Sequence, residues 1–281
     1  MTTISEALRA ATARLAEAGI DGARLDARLL LAEALGKDNS WLFNNAPDEL
    51  GAEAAAAFAG LLARRLERQP VSLILGRREF WSLDFTVTRE TLAPRPDSET
   101  LVEAVLEELA DRRAPLSLLD LGTGTGCLLL ALLSELSFAR GTGVDINPDT
   151  LAVARGNAER LGFSPRTRFI QSNWWEAVEG AFDVIVSNPP YIPSGDIAGL
   201  DPEVARFEPL GALDGGADGL EAYRLLAAGA DKFLTGDGVM AFEVGAGQAP
   251  DVAALLETEG FTIRAVRRDL AGIERCVVAG R

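Results

Sequence analysis

The chain has 281 residues, enough for one large domain or two smaller ones, and its apolar and charged fractions of 48% and 25% are those of a globular protein. It contains no histidine, which excludes histidine-ligated metals and Ser-His-Asp triads, and its two cysteines form no disulfide framework. The net charge of −15 is concentrated in residues 91–281 and disfavours duplex nucleic acid as a partner, although solubility alone would account for it.

The sequence predicts a cytoplasmic protein. No apolar run reaches the length needed to span a membrane, and no segment near the N-terminus combines a basic start with an apolar core. We therefore expect no membrane partner. Cys127 and Cys276 are far apart in the sequence, and together with the remaining acids they indicate no metal site.

Residues 1–75 have the pattern of a small helical bundle. Thr3 and Glu6 have the spacing of a capping box, and apolar residues follow at helical spacing at Ile4, Leu8, Ala11, Leu15 and Ala18. Asp21 is expected to cap a second helix, and Pro47 is expected to open another. None of these residues indicates catalysis.

A connector follows over residues 76–91. Its apolar residues alternate with polar ones, as in the strands of a β-hairpin: Phe80, Leu83, Phe85 and Val87. Pro94 and Pro96 then force an extended path through Arg95, and helical spacing resumes at Glu99. Arg95 and Glu99 either form an ordinary salt bridge or belong to a lid beside a bound cofactor.

From about residue 115 the chain alternates between predicted strands and helices, which indicates an α/β fold with a parallel sheet covered on both faces. The predicted strands are 116–121, 142–146, 167–171, 182–187, 238–244, 261–267 and 273–279. The last two flank a turn at Ala271-Gly272 and could form an antiparallel pair at the edge of the sheet. The irregular stretch 192–219 is long enough to be functional, and it could cover a substrate.

A glycine-rich loop, Gly122-Thr123-Gly124-Thr125-Gly126, joins the first of these strands to an apolar helix. Glycines let the backbone approach a ligand closely, and the start of the helix offers free N–H groups. Cys127 stands where the dinucleotide fingerprint requires its third glycine, and no Lys-Ser/Thr pair follows, so neither that fingerprint nor a P-loop is present. Asp145 ends the next strand, 19 residues after Gly126, where an acid binds ribose hydroxyls. This combination fits S-adenosylmethionine.

The tetrapeptide Asn188-Pro189-Pro190-Tyr191 follows the buried strand 182–187. The two prolines fix φ and remove two backbone donors, so the carbonyl groups there can accept hydrogen bonds from a ligand. The Asn188 amide oxygen can accept another, and Tyr191 offers a flat face for stacking. The sequence therefore predicts a rigid pair of acceptors that binds a planar –NH₂ group. A polar turn that only ends the strand is the alternative.

Asn173 and Trp174 follow the third predicted strand, at the same edge of the sheet as the glycine-rich loop and Asp145. Asn173 can hydrogen bond to the edge of the adenine of S-adenosylmethionine, and Trp174 can stack on the adenine ring or pack beside it. Trp174 could equally be a core aromatic. Asn188 is also expected to contact the cofactor.

The chain resembles the HemK/PrmC family of S-adenosylmethionine-dependent methyltransferases. The matching segments are 78–81, 92–99, 119–126, 187–192, 206–209 with 212–213, and 269–272. The resemblance implies a class I methyltransferase fold with a Rossmann-like seven-stranded sheet. It also implies a docking domain at 1–75, a hairpin connector at 76–91 and a methyltransferase domain at 92–281. In the family the usual residue before the tryptophan is Asp, whereas this chain has Asn173.

The activity that the resemblance implies is methylation of the glutamine N5 in the Gly-Gly-Gln motif of peptide chain release factors, with S-adenosylhomocysteine as product. Asn188 and the Pro189 carbonyl would hold the –NH₂ group during direct methyl transfer. The protein is expected to act as a monomer, to bind no metal and to form no stable complex with nucleic acid. Three alternatives remain: a ribosomal-protein glutamine methyltransferase, a DNA or RNA adenine methyltransferase, and a non-catalytic nucleotide-binding module.

Overall fold

The computed structural model describes residues 2–281, and the chain forms two compact units. The first unit contains the residues up to Gly76 together with Asp201–Phe207. The second unit contains Arg77–Leu200 and Glu208–Arg281. A short piece of the loop that follows Asn188-Pro189-Pro190-Tyr191 therefore belongs to the unit built from the N-terminal helices.

The first unit is helical. Its helices are α1 (Ile4–Glu17), α2 (Ala23–Leu35), α3 (Asn39–Asn44), α4 (Ala52–Leu66) and α5 (Val71–Leu75). The predicted capping box is confirmed, because the Thr3 hydroxyl accepts from the Glu6 amide and the Glu6 carboxylate accepts from the Thr3 amide. The core of the unit consists of apolar side chains from all five helices and from the segment between α1 and α2, among them Ile4, Leu15, Leu30, Leu31, Phe58 and Leu62.

Two predicted helix starts in this unit are wrong. The second helix begins at Ala23 behind Gly22, whose left-handed φ of 72° turns the chain, so Asp21 does not cap it. The helix predicted to open at Pro47 begins instead at Ala52. Residues 45–47 form a turn instead, and Glu49 then pairs with Thr3 in an isolated antiparallel bridge.

The Asp201–Phe207 segment is held in the first unit by ion pairs. It contains the short helix α9 (Pro202–Ala205), and Glu203 on this helix pairs with Arg65 and Arg68, each at 2.8 Å. Arg65 is buried on α4 and also pairs with Asp26 at 2.7 Å. A buried guanidinium requires such partners, because a charge without them is costly in the protein interior.

The second unit opens with the predicted β-hairpin, which is confirmed. Its strands β1 (Arg77–Phe80) and β2 (Leu83–Thr86) pair antiparallel. The two residues between them have positive φ angles of 52° and 57°, as a two-residue hairpin turn requires. Phe80 and Phe85 are buried and meet edge to face.

A seven-stranded sheet forms the centre of this unit. Its strands are β3 (Ser117–Leu121), β4 (Arg140–Asp145), β5 (Thr167–Gln171), β6 (Phe182–Ser187), β7 (Leu234–Glu243), β8 (Thr262–Arg268) and β9 (Glu274–Gly280). The strand order is β5-β4-β3-β6-β7-β9-β8. The pairings are parallel from β5 to β7 and antiparallel for the last two strands. The predicted antiparallel pair is therefore confirmed, but only β8 lies at the edge, because β9 inserts between β7 and β8.

Helices cover both faces of the sheet. They are α6 (Glu99–Glu108), α7 (Cys127–Glu135), α8 (Pro148–Arg160), α10 (Glu221–Ala230) and α11 (Ala249–Thr258). Alternate residues of β3 enter two separate cores, with Leu118 on the face of α6 and α7 and Leu119 on the face of α10 and α11. Burial on both faces explains why the central strands are almost continuously apolar. Within residues 2–281, no helix has the length and apolar character to cross a membrane.

Candidate active site

The carboxyl ends of β3, β4 and β6 bring the predicted motifs together. Leu121 at the end of β3 pairs with Val144 on one side and with Ser187 on the other. The residues that follow these three positions in the chain are Gly122, Asp145 and Asn188. Because the chain leaves β3 toward β4 and returns on the other side as β6, this is the point at which open α/β sheets bind ligands.

The glycine-rich loop is fixed by backbone hydrogen bonds. The amides of Gly122 and Thr123 both donate to the Val144 carbonyl at 2.8 Å. Gly122, Gly124 and Gly126 have φ angles of 73°, 56° and 82°, a region that side-chain-bearing residues rarely adopt. A Cβ on Gly122 would also lie 3.6 Å from the Trp174 ring, so the loop and this ring are in close contact.

Two aspartates accept hydrogen bonds from the glycine-rich loop. Asp145 accepts from the Gly124 amide at 3.1 Å and from the Asn147 amide at 3.0 Å. Burial raises its pKa, and these backbone hydrogen bonds oppose the shift. Asp120 is buried beneath the loop and accepts from the Thr123 hydroxyl at 2.6 Å through one oxygen. Its other oxygen, Oδ1, has no partner among the described residues.

The Asn188-Pro189-Pro190-Tyr191 turn is held from several sides. The Ser187 hydroxyl donates to the Leu121 carbonyl at 2.6 Å, which ties the end of β6 to β3. The Asn188 side-chain nitrogen lies 3.4 Å from the Ser98 hydroxyl and donates to it. The Tyr191 ring packs against the core and lies close to Gly245, where a Cβ would be 3.0 Å from its Cδ2. Burial raises the pKa of Tyr191 to about 12, so this phenol stays protonated near neutral pH.

A cavity of about 930 Å³ opens above these strand ends. Most of the residues predicted to bind cofactor or substrate line it, namely Gly122, Thr123, Gly124, Thr125, Asp145, Asn173, Trp174, Asn188 and Pro190. Gly126, Pro189 and Tyr191 do not belong to the lining that the structure describes. The cavity has the size of a cofactor site with room for a substrate side chain.

Asn173 and Trp174 follow β5 on one side of the cavity. The Asn173 amide nitrogen donates to Glu176 at 2.9 Å, so this donor is already engaged. Trp174 has a φ of 47°, which is strained for a residue of this size, and its carbonyl accepts from Ser172 at 3.0 Å. The indole lies against Gly122 and lines the cavity.

The loop that follows Tyr191 returns to cover the turn. Gly215 packs so closely on it that a Cβ would lie 2.8 Å from the Pro190 carbonyl oxygen. Further along the chain, Pro209 and Leu210 line the cavity. Glu208 is buried and accepts from Arg95 at 2.7 and 2.8 Å. Arg95 therefore pairs with Glu208 and not with Glu99, whose carboxylate instead accepts from the Trp81 amide at 2.8 Å.

Sequence reasoning missed Asp120, Ser98 and Glu243 as residues of this site. Ser98 accepts from the Asn188 side-chain nitrogen at 3.4 Å, and Glu243 lies beside Asn188 at the end of the neighbouring strand. Asp120 and Glu243 carried a signal, because each is an acid within an otherwise apolar strand. Ser98 carried none, since a serine at the start of a helix is common.

The donors and acceptors of the cavity fit S-adenosylmethionine. A loop of three glycines allows close approach, and Asp145 offers a carboxylate for hydroxyls. A planar amide nitrogen with two hydrogens matches the acceptors of the Asn188 turn. The arrangement can bind a nucleoside cofactor and a side-chain amide together.

Comparison with known proteins agrees with this geometry. Residues 6–76 match the family described as PrmC N-terminal domain, and residues 113–261 match the family described as Methyltransferase domain. A release factor glutamine methyltransferase of Rhodospirillum rubrum is 51% identical over 271 residues, which are 95% of this chain and 82% of that protein. A second release factor glutamine methyltransferase, of Cereibacter sphaeroides, is 48% identical over an alignment that spans 98% of this chain and 97% of that protein.

Solved structures show the fold. A methyltransferase from Pyrococcus furiosus superposes with a TM-score of 0.54 at 18% identity, over 79% of this chain and all of the other. A ribosomal protein L11 methylase from Lactobacillus delbrueckii gives a TM-score of 0.51 at 22% identity, over 66% of this chain and 80% of the other. The sheet and its covering helices have the class I methyltransferase fold.

Proposed function

Because this chain belongs to the family of release factor glutamine methyltransferases, we propose that it methylates a glutamine side-chain amide of a peptide chain release factor. The target is the glutamine of the Gly-Gly-Gln motif, modified at N5. S-adenosylmethionine is the methyl donor and S-adenosylhomocysteine the product. The observation that supports this best is the position of Asn188, which lines the cavity beside the glycine-rich loop.

The turn at Asn188 recognises an amide by its geometry. A glutamine –NH₂ group is planar and carries two N–H donors, so it requires two acceptors in fixed positions. The Asn188 amide oxygen would supply one, and the Pro189 carbonyl, although Pro189 is not part of the described cavity lining, would supply the other. Neither proline of the turn has an N–H group, so the prolines supply no donor that would compete with the substrate for these acceptors.

The cofactor would be held by other residues that line the same cavity. The backbone of Gly122–Gly126 would approach it closely, Asp145 would accept from its ribose hydroxyls, and Trp174 and Asn173 would contact its adenine. Once bound, S-adenosylmethionine supplies an electrophilic methyl group.

The protein's part in the chemistry is to orient the amide. An amide nitrogen is a poor nucleophile, because its lone pair is delocalised into the carbonyl. Acceptors on both N–H groups fix its orientation and increase its electron density. The nitrogen gains the methyl group and loses one proton, which passes to water without a dedicated base.

We also propose that the enzyme acts as a monomer in the cytoplasm and uses neither a metal nor a nucleic acid. The residues proposed for cofactor and substrate all lie in one chain. The excess of acidic residues over basic ones in 91–281 suits a protein substrate with a basic face.

The test is methyl transfer from labelled S-adenosylmethionine to three substrates side by side: a purified release factor, ribosomal proteins and duplex DNA. We expect label on the release factor alone, and peptide mass mapping should locate it on the Gly-Gly-Gln glutamine. A release factor in which this glutamine is replaced by asparagine is the matched control, and it should remain unlabelled.

Other outcomes would assign a different substrate. Label on a ribosomal protein would keep the amide chemistry but reject the release factor, and label on adenine in DNA would reject the amide. Absence of S-adenosylmethionine binding in calorimetry would reject methyl transfer altogether and favour a non-catalytic module.

A further inference from the structure

Glu243 is a buried acid at the carboxyl end of β7, directly beside the Asn188 turn. The β6–β7 register that pairs Ser187 with Phe242 makes Glu243 the neighbour of Asn188 on the adjacent strand. The side chain is 3% exposed, and its Oε2 atom has no hydrogen-bond partner within residues 2–281. A buried carboxyl oxygen without a partner is costly, so its presence in a well-packed strand requires an explanation.

The partners that Glu243 does have are parts of the site. Ser98 and Asn188 lie beside its carboxyl group and lower its pKa as hydrogen-bond donors, and the Asn188 nitrogen also donates to the Ser98 hydroxyl at 3.4 Å. Asn188 lines the cavity, whereas Glu243 does not belong to the described lining. Glu243 therefore lies behind Asn188 and can act on a substrate only through it.

We propose that Glu243 is a positioning residue that fixes the Asn188 amide with its oxygen toward the cavity. The inference rests on the proposed function, in which this oxygen accepts from the substrate. A carboxylate only accepts hydrogen bonds, so it selects the nitrogen side of the Asn188 amide. The oxygen and nitrogen of such an amide are nearly equal in size, and without a selective partner the group can turn over. The turned amide would present a donor to the donor of the substrate.

The role proposed for Glu243 requires its carboxyl group to be ionised, because only the carboxylate is purely an acceptor. Burial raises the pKa of the Glu243 carboxyl to about 7, although hydrogen bonds from Ser98 and Asn188 lower it. Below that pH the protonated carboxyl can donate to the Asn188 oxygen and compete with the substrate. We therefore expect the rate of methyl transfer to fall as the pH decreases through about 7.

Other titratable groups face Glu243 from the surrounding elements. They are Arg275 and Cys276 on β9, Asp97 before α6, Cys127 on α7, Tyr223 on α10, and Tyr191 after β6. The pKa values of both cysteines and both tyrosines are raised by burial, so these four groups stay protonated near pH 7. Asp120 is the other acid whose pKa burial raises to about 7, and variants must separate its effect from that of Glu243.

The first test compares pH profiles of kcat in the wild type and in Glu243→Gln. The glutamine keeps the shape, but it cannot ionise and can turn its own donor toward Asn188. We expect kcat at pH 8 to fall by about 10- to 100-fold and the acid limb near pH 7 to disappear. The Kd of S-adenosylmethionine in calorimetry should stay within a factor of about three, because Glu243 acts on the substrate amide alone.

Asp183→Asn is the matched control. Asp183 stands on β6, near the end opposite Asn188, where it accepts from the Ser117 amide at 2.8 Å. This variant also removes one carboxylate from a strand of the same sheet, and it should keep the wild-type profile. An acid limb that persists in Glu243→Gln would overturn the proposal and assign the titration to Asp120.

The second test needs no substrate and separates this inference from the proposed function. The Asn188 side-chain ¹⁵N–H signals, assigned by their loss in Asn188→Ala, should shift with a midpoint near pH 7 in the wild type. They should not titrate in Glu243→Gln. Signals that titrate equally in both proteins would refute the role of Glu243. A wild-type enzyme with the expected titration but no transfer to a release factor would instead refute the proposed function.

Discussion

Asn188 is the residue on which the proposed chemistry depends most. It lines the cavity, follows the strand next to the glycine-rich loop, and donates to Ser98, and we propose that Glu243 fixes its orientation. A side chain supported in this way is fixed before the substrate arrives, and fixed acceptors lower the barrier without reorganising during the reaction.

Replacement of Asn188 by alanine should therefore lower turnover and leave cofactor affinity nearly unchanged. We expect Asn188→Ala to reduce kcat by about 10²- to 10³-fold, the usual effect of removing one oriented polar group. The Kd of S-adenosylmethionine should change by less than about threefold, because the cofactor has its other contacts. Rapid-quench transfer assays and calorimetry measure the two quantities separately.

Asn173→Ala is a control with the opposite expected effect. Asn173 lines the cavity and is proposed to contact the adenine, so its replacement should remove about one hydrogen bond to the cofactor. We expect roughly fivefold weaker cofactor binding, equivalent to about 1 kcal/mol, with kcat at saturation nearly unchanged. Equal losses of affinity and turnover in Asn188→Ala would argue against its role in orienting the substrate.

Among the elements, the loop after Asn188-Pro189-Pro190-Tyr191 differs most from what the sequence predicted. Its middle part, Asp201–Phe207, belongs to the compact unit of N-terminal helices, while the residues on both sides belong to the sheet unit. Two arginines hold it there through Glu203. The sequence predicted only a long irregular stretch at this position, because ion pairs between distant segments leave no local pattern.

We predict that Glu203→Gln loosens this segment. The variant removes the carboxylate charge that pairs with both Arg65 and Arg68, and a hydrogen bond to a charged group contributes about 1.5–3 kcal/mol. Hydrogen exchange of the Val204, Ala205 and Arg206 amides should accelerate by about 10- to 100-fold, because 1.36 kcal/mol corresponds to a factor of ten.

Asp196→Asn is the control for this prediction, since it neutralises an exposed acid earlier in the same loop. It should leave the exchange of these three amides unchanged. Unaltered exchange in Glu203→Gln would show that the short helix is held by its backbone hydrogen bonds alone.

For the whole molecule, buried acids set the dependence of stability on pH. Burial raises the pKa of Asp120 and of Glu243 to about 7, whereas such carboxyls titrate near 4 in an unfolded chain. Between these values the folded state binds more protons than the unfolded state, so the free energy of unfolding decreases as pH rises. Groups with lowered pKa values, such as Asp269, contribute stability that is lost only as the pH falls below about 4.

We therefore predict that the sheet unit is more stable at pH 5.5 than at pH 8. Each proton contributes a slope of at most about 1.4 kcal/mol per pH unit. Urea unfolding followed by tryptophan fluorescence measures this, in a Trp41→Phe background where the remaining tryptophans all lie in the second unit. The double variant Asp120→Asn, Glu243→Gln should flatten the dependence, and Asp183→Asn should not. Stability that increases between pH 5.5 and 8 would contradict the assignment.

The sequence by itself determined the type of fold and the two motifs. Strand and helix periodicity follow from local burial, and the glycine-rich loop and the Asn188 turn each consist of consecutive residues, so both could be recognised along the chain. Parallel strands place their carboxyl ends at one edge, which was sufficient to expect the motifs near each other. Helix starts were less reliable, as Asp21 and Pro47 show, because a positive φ at Gly22 and a bridge to Glu49 replaced the expected caps.

Only the tertiary structure decided which distant side chains support the site. Ser98 and Glu243 reach Asn188 from 90 and 55 residues away, and Arg95 pairs with Glu208 across 113 residues. Such contacts depend on strand register and on the packing of helices over the sheet, which no local pattern encodes. The assignment of Asp201–Phe207 to the helical unit depends likewise on ion pairs that form only after the chain has folded.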